Sequence, residues 1–153
     1  MDKEIRWKQR FQNLKKAFSQ LQRGLNIAKP NDIELQGIIQ SFEFTFELSW
    51  KTLKDFLKNK GVDVSFPRDV IKEAFHHQII DNGEIWLDML ENRNLIAHTY
   101  DEKRAIEVIS LIREKYEPAV TRVVAFLDKK KINEIWIIKK RASYFKKYFH
   151  QFP

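Results

Sequence analysis

A regular apolar stripe near the beginning of the chain restricts it to helical folds. Between residues 2 and 26, apolar side chains recur at steps of four, three, four, three and four, separated by Lys, Arg and Gln. This spacing predicts one long amphipathic helix. The stripe consists of Trp7, Phe11, Leu14, Phe18, Leu21 and Leu25. Because such a stripe has to be covered, the rest of the chain is expected to supply further helices.

Two further long stripes follow. A second helix is predicted from about Asp32 to Lys60, with Gly61 as its C-terminal stop. A last long helix is predicted to begin near Asp101, which can cap it, and to be kinked at Pro118. The second stripe is Ile38, Phe42, Phe46, Trp50, Leu53 and Leu57, and the last is Ala105, Ile109, Ile112, Tyr116, Ala119, Val123 and Leu127.

Two shorter helices lie between them, one opened by Pro67 and running to about Ile80, and one covering residues 84 to about 97. No segment has the pattern of a strand. The fold class is therefore predicted to be all-α, an antiparallel four-helix up-and-down bundle with a short inserted helix and a basic C-terminal helical tail. Residues 1–127 are expected to form the bundle, and residues 128–153 an extension of it.

The composition limits the classes of protein to which the chain can belong. Its 153 residues fit one domain, and it has no Cys, which excludes disulfides, thiolate metal sites and a cysteine nucleophile. The charged N-terminal residues do not resemble a signal peptide, and no apolar run is long enough to span a bilayer. We therefore expect a cytoplasmic protein without a membrane contact, a metal or a cofactor.

The positive charge is concentrated in the tail. Residues 128–153 contain eight Lys or Arg and two Asp or Glu, whereas residues 1–127 contain 20 basic and 19 acidic residues. The same tail carries many Ile, Trp, Tyr and Phe residues. Such a segment can pack on its own bundle, dock a second chain or contact a polyanion, since aromatic rings beside Lys and Arg are typical of single-stranded RNA binding.

The segment that joins the fourth and last helices contains the candidate site. Arg93 lies on or beside the apolar stripe of the fourth helix, where an unpaired charge is costly, and His98 falls where that helix ends. From the residues alone, the simpler interpretation is favoured, with Arg93 as a structural ion-pair partner and His98 as an ordinary helix-end histidine. Glu43 and Glu47 on the second helix either approach the apolar seam or, more simply, form its solvated flank.

Arg93, His98 and Tyr100 spell R-x4-H-x-Y, a pattern that resembles the motif of HEPN-domain ribonucleases. Residues 42–54, 67–75 and 86–94 are similar to the HepT-type toxins, also described as nucleotidyltransferase substrate-binding proteins. The resemblance covers about residues 5–127, and the tail departs from it. It implies a HEPN-type bundle that forms a homodimer and cleaves RNA without a metal. It also implies a partner, an MntA-type nucleotidyltransferase antitoxin that transfers AMP from ATP to the motif tyrosine, here Tyr100.

The residue types agree with that chemistry. Cleavage of RNA by its own 2′-OH needs a proton acceptor and a proton donor, and His98 can serve as either near neutral pH. Arg93 can stabilise the negative charge of the phosphorane-like transition state. A spacing of five residues separates them by about 140° on a helix, so a partner's copies are expected to complete the site.

Two functions from different classes therefore remain. The first is a metal-independent endoribonuclease toxin that is neutralised by AMP transfer to Tyr100. The second is a non-catalytic subunit that binds a nucleotide or substrate for a minimal nucleotidyltransferase and uses Arg93 and His98 for recognition alone.

Overall fold

The computed structural model describes residues 2–97 and 101–149, and within these ranges the chain is helical with no strand. The helices are α1 (Lys3–Leu25), α2 (Asp32–Asn59), α3 (Pro67–His76), α4 (Gly83–Ala97), α5 (Glu102–Leu111) and α6 (Glu117–Phe149), with a π-helical turn at Ile112–Tyr116 between α5 and α6. The predicted all-α fold class is confirmed. His98 and Tyr100 lie outside the described residues.

Helices α1 and α2 form an antiparallel hairpin. Trp7, near the beginning of α1, packs edge-on against Phe56 near the end of α2, with ring centroids 5.2 Å apart. Gly24, near the end of α1, lies directly against the Ile38 side chain, where an added Cβ would clash. The α1 stripe predicted from the sequence is buried in the core that this hairpin forms with the other helices. Aromatic and aliphatic burial on this scale is the main source of bundle stability.

The direction of the remaining long helices follows from four polar contacts. Lys15 of α1 pairs with Asp128 of α6 at 2.8 Å, and Gln22 of α1 donates to Glu117 of α6 at 3.2 Å. Arg122 of α6 pairs at 3.0 Å with Asp81, which immediately precedes α4. Asn92, near the end of α4, contacts Tyr116 at 3.0 Å. Helix α6 is therefore antiparallel to both α1 and α4, so α1, α2, α4 and α5–α6 alternate in direction as predicted, with α3 inserted.

Helix α3 ends earlier than predicted, at His76 instead of near Ile80. Gln78 adopts a left-handed conformation with φ of 59°, and the Ile79 N–H donates to the Ala74 carbonyl at 2.8 Å. This is a Schellman closure, which ends a helix by the same backbone geometry as the predicted stop at Gly61, where φ is 87°. A glutamine gives no sequence signal for that conformation, and the prediction was therefore wrong here.

The irregularity in the last helix precedes Pro118 instead of lying at it. Between Ile112 and Tyr116 the backbone widens into a π-helical turn, and the Glu117 N–H donates to the Ile112 carbonyl. Proline has no N–H for the carbonyl one turn earlier, and a wider turn just before it accommodates the missing bond. The apolar residues predicted for this stripe, from Ala105 to Leu127, are all buried.

Within the described ranges, no helix is both long enough and apolar enough to cross a membrane.

Candidate functional site

Arg93 lies near the end of α4, where it forms an ion pair with α2. Its Nη1 lies 2.5 Å from Oε1 of Glu47, and its guanidinium lies over the Phe46 ring at 6.0 Å from the centroid. The Arg93 side chain is 30% exposed and that of Glu47 is 38% exposed. The pair is thus held at the surface of the bundle, where water screens it and its contribution to folding is small. The position predicted for Arg93, beside the apolar stripe, is confirmed.

Glu47 connects Arg93 to two further side chains of α2. Its Oε2 accepts a hydrogen bond from Nε1 of Trp50 at 3.1 Å, and Nζ of Lys51 lies 3.8 Å from the same oxygen. These residues lie three and four positions after Glu47, so one turn of α2 brings them together. Glu47 is therefore fixed in orientation by Trp50 as well as by Arg93. The sequence favoured a solvated flank for Glu47; its side chain is partly exposed, and it also contacts Arg93 of the candidate site.

A second polar cluster supports α4 from its other side. The Tyr116 hydroxyl donates to Oδ2 of Asp88 at 2.5 Å and accepts from Nδ2 of Asn92 at 3.0 Å. Asp88 and Asn92 are four residues apart on α4, so their side chains share one face. Tyr116 is fully buried and stacks on Phe42 of α2, with ring centroids 5.3 Å apart and an angle of 16° between the planes.

Burial raises the pKa of Tyr116 far above its usual range, and the hydrogen bond to Asp88 raises this pKa further. The phenol therefore stays protonated under ordinary conditions and acts as a fixed donor. Sequence analysis treated Tyr116 only as part of the buried stripe. The missed signal was its hydroxyl, because a tyrosine on an apolar stripe needs a polar partner when it is buried.

Together the two clusters hold the last turns of α4 between α2 and the π-helical turn. A guanidinium has five N–H donors, and among the described residues Glu47 engages Nη1 alone. The remaining donors suit an anion with several oxygens, such as a phosphate. His98 and Tyr100, the other two residues predicted for the site, fall outside the described residues. Asp101, directly after them, caps α5 as predicted, accepting from the Lys103 N–H at 3.2 Å.

The fold is an antiparallel helical bundle, and its candidate site is an arginine near the end of α4 that is paired with a glutamate of α2. The family described as nucleotidyltransferase substrate binding protein like matches residues 9–129, and the chain belongs to that family. The similarity to HepT-type proteins predicted from the sequence is thereby confirmed.

One similar protein supports this assignment, and one solved structure supports the fold. A protein of Haemophilus influenzae named probable ribonuclease HepT is 31% identical over 86 residues, which cover 53% of this chain and 59% of that protein. The chain therefore matches less than two thirds of that relative's length. A crystal structure of a Thermus thermophilus protein superposes with a TM-score of 0.67 at 28% identity, covering 73% of this chain and 96% of the other.

Proposed function

We propose that this chain is a metal-independent endoribonuclease toxin of the HepT type. The observation that carries the proposal is the bracing of Arg93, which is partly exposed and held by Glu47 five residues before His98. The name of the Haemophilus influenzae relative supports a ribonuclease. We place the protein in the cytoplasm, where RNA and ATP are available.

In the proposed reaction, the 2′-OH of one nucleotide attacks the adjacent phosphorus and the bond to the 5′ oxygen breaks. His98 accepts the proton of the attacking hydroxyl or donates one to the leaving oxygen, a role suited to an imidazole near neutral pH. Arg93 binds the equatorial oxygens, whose negative charge increases in the transition state. The products are a 2′,3′-cyclic phosphate and a free 5′-hydroxyl, so atoms and protons balance without a further reactant.

The active form is proposed to be a homodimer. On an ideal α-helix a spacing of five residues corresponds to about 140° around the axis, so one chain is not expected to aim Arg93 and His98 at the same phosphate. A twofold axis near the end of α4 would bring Arg93 of one protomer to His98 of another. Each dimer would then contain two equivalent composite sites.

Control is proposed to act through Tyr100 and a cognate MntA-type nucleotidyltransferase. The tyrosine oxygen attacks the α-phosphorus of ATP, pyrophosphate leaves, and the phenol loses its proton. The attached adenylate adds bulk and negative charge two residues from His98. Its phosphate can occupy the donors of Arg93 and exclude the RNA phosphate by competition and repulsion.

The second candidate is a non-catalytic subunit that binds a nucleotide or other substrate for a minimal nucleotidyltransferase. The description of the family as substrate-binding favours it. Arg93 would then recognise a phosphate without promoting its cleavage.

One experiment separates the two functions. Purified protein is incubated with RNA in excess EDTA beside two variants, His98→Ala and His76→Ala, the second changing an exposed histidine of α3. We expect the parent and His76→Ala to cleave RNA and His98→Ala to leave it intact. Equal cleavage by all three indicates a contaminating nuclease, and no cleavage by any of them supports the binding subunit.

A further inference from the structure

The last part of α6 extends beyond the buried residues of the bundle. Leu127 is fully buried, whereas Ile132, Trp136 and Ile138 are 64%, 59% and 57% exposed. In the described residues the tail therefore does not cover its own bundle, and that alternative from the sequence is wrong. An exposed helix of this composition requires another partner.

The exposed segment of α6 has two different faces. One, which we call the basic-aromatic face, consists of Lys129, Trp136, Lys140, Tyr144 and Lys147. At about 100° per residue these five positions fall within about 80° of arc. Ile135, Ile138, Ala142 and Phe145 follow steps of three, four and three and lie on nearly the opposite side. Aromatic rings and cations therefore alternate along one side, separate from an apolar strip.

The basic-aromatic face has the local geometry of a stacking platform. Nζ of Lys140 lies 4.4 Å from the centroid of the Trp136 ring, and Trp136 and Tyr144 are 59% and 62% exposed. A shallow groove of about 470 Å³ begins at Trp136, Lys140 and Tyr144 of this face and continues past Ile137 and Arg141 to Phe145 of the apolar strip. An exposed ring with an ammonium beside it offers both a surface for a base and a charge for its phosphate.

We propose that the basic-aromatic face binds single-stranded RNA, with bases stacked on Trp136 and Tyr144 and phosphates paired with Lys140 and Lys147. The proposal rests on the proposed function for the identity of its ligand. It adds a second RNA-binding surface, distinct from the motif of Arg93 and specific to this tail.

Charge complementarity favours RNA over a helical protein partner on this face. Residues 128–153 carry eight basic and two acidic residues, so two copies of the tail would repel each other, whereas a polyanion is attracted. The aromatic rings favour a single strand over a duplex, because stacked and paired bases leave no face open to a side chain. From Lys129 to Lys147 the helix extends about 27 Å, enough to contact several nucleotides.

The test uses the full chain and a labelled 2′-O-methyl oligouridine of about 12 nucleotides, which lacks the attacking hydroxyl and cannot be cleaved. Affinity is measured by fluorescence anisotropy over a range of salt concentrations. The variants are Lys140→Gln with Lys147→Gln, and Trp136→Ala with Tyr144→Ala. The matched control is Lys131→Gln with Lys146→Gln, which removes the same charge from other sides of the same helix. Circular dichroism checks that all of them keep their helix content.

We expect the first pair to lower the slope of log K against log salt by about 1.4, which corresponds to two phosphate contacts on a single strand. The aromatic pair should weaken binding about fivefold or more, the loss expected for one stacked base. The control should stay close to the parent, and a duplex of the same length should bind less tightly than the single strand.

An equal loss in the Lys pair and in its control would overturn the proposal, because it would show only a general effect of charge. Unchanged binding in the aromatic variant would also overturn it. If Ile138→Asp changes the oligomeric state while every variant binds the probe equally, the partner of the tail is a helix instead. If the protein binds the probe but does not cleave ordinary RNA, only the proposed function is contradicted. If it cleaves RNA and the two variants of the basic-aromatic face bind the probe as the parent does, only this inference is contradicted.

Discussion

Glu47 of α2 and Arg93 of α4 lie 46 residues apart in sequence, and their side chains meet in an ion pair beside the Phe46 ring. The carboxylate is itself anchored by the indole N–H of Trp50. The Arg93 guanidinium of α4 is thus oriented by a residue of another helix. Such support is what the positioning of a reactive group requires.

Replacing Glu47 by Ala should lower kcat for RNA cleavage at least about tenfold while changing KM less, because Arg93 loses the contact that orients it. Glu47→Gln retains an acceptor for Arg93 and should recover part of the loss. Lys51→Ala is the control, since Lys51 contacts the other oxygen of Glu47. Steady-state kinetics on a fluorogenic RNA measures all three, and full activity of Glu47→Ala would show that Arg93 needs no such support.

Two inactive variants should restore activity when combined. If Arg93 of one protomer acts with His98 of another, a heterodimer of Arg93→Ala and His98→Ala contains one intact site. After mixing and subunit exchange, about a quarter of the parent activity is expected. Light scattering should show a dimer at micromolar concentration. A mixture as inactive as its components, or an active monomer, would contradict the composite site.

Tyr100→Phe removes the hydroxyl that AMP would modify and keeps the aromatic ring. We expect this variant to retain at least part of any ribonuclease activity and to escape neutralisation by the cognate nucleotidyltransferase with ATP. Mass spectrometry of the co-expressed proteins should locate an adenylate on Tyr100 of the parent. An adduct on Tyr116, Tyr144 or Tyr148, or neutralisation without any adduct, would refute this mode of control.

Tyr116→Phe should destabilise the bundle by about 1–3 kcal/mol, because the partly buried Asp88 and Asn92 lose their common partner. Urea unfolding followed by circular dichroism measures the free energy. Tyr144→Phe, at an exposed position of α6, is the matched control and should change stability much less. Equal effects of the two substitutions would show that the hydroxyl of Tyr116 contributes nothing specific.

The pKa of Tyr116 also predicts a loss of stability at alkaline pH. Its pKa is raised in the folded protein, so above about pH 10 the unfolded chain releases a proton that the native state retains. Stability then falls by about 1.4 kcal/mol per pH unit from this group, and is fully present below about pH 10. The parent should therefore lose stability more steeply than Tyr116→Phe above that pH. Parallel curves for the two proteins would contradict this assignment.

Most of the fold could be predicted because each stripe is continuous along the sequence, within one helix for α1 and α2 and from α5 through the π-helical turn into α6 for the last. The period of α1, the stop at Gly61 and the N-cap at Asp101 depend on neighbouring residues, which the sequence displays directly. The end of α3 was missed because Gln78 adopts a positive φ, which is dictated by its surroundings and not by its residue type.

The candidate site could be predicted only in part for the same reason. Arg93 was recognised from its position on α4 and from the motif. Its partner Glu47, and the contacts of Tyr116 with Asp88 and Asn92, depend on how three helices are placed in space. Local periodicity carries no information about that placement, so the sequence could propose the residues but not their pairing.

The π-helical turn at Ile112–Tyr116 sets the rotational phase of everything that follows it. Such a turn is equivalent to one extra residue in an α-helix, so winding the same residues as a regular α-helix would rotate α6 by about 100° relative to α5, whereas deleting one residue there would keep its direction. With the same residues wound regularly, Val123 and Leu127 would turn away from the core, and the lysines beyond them would face another direction. The one extra residue in this turn therefore fixes the rotation of α6 relative to α5. It links the contacts of Tyr116 with α4 to the direction in which the C-terminal part of α6 presents its lysines.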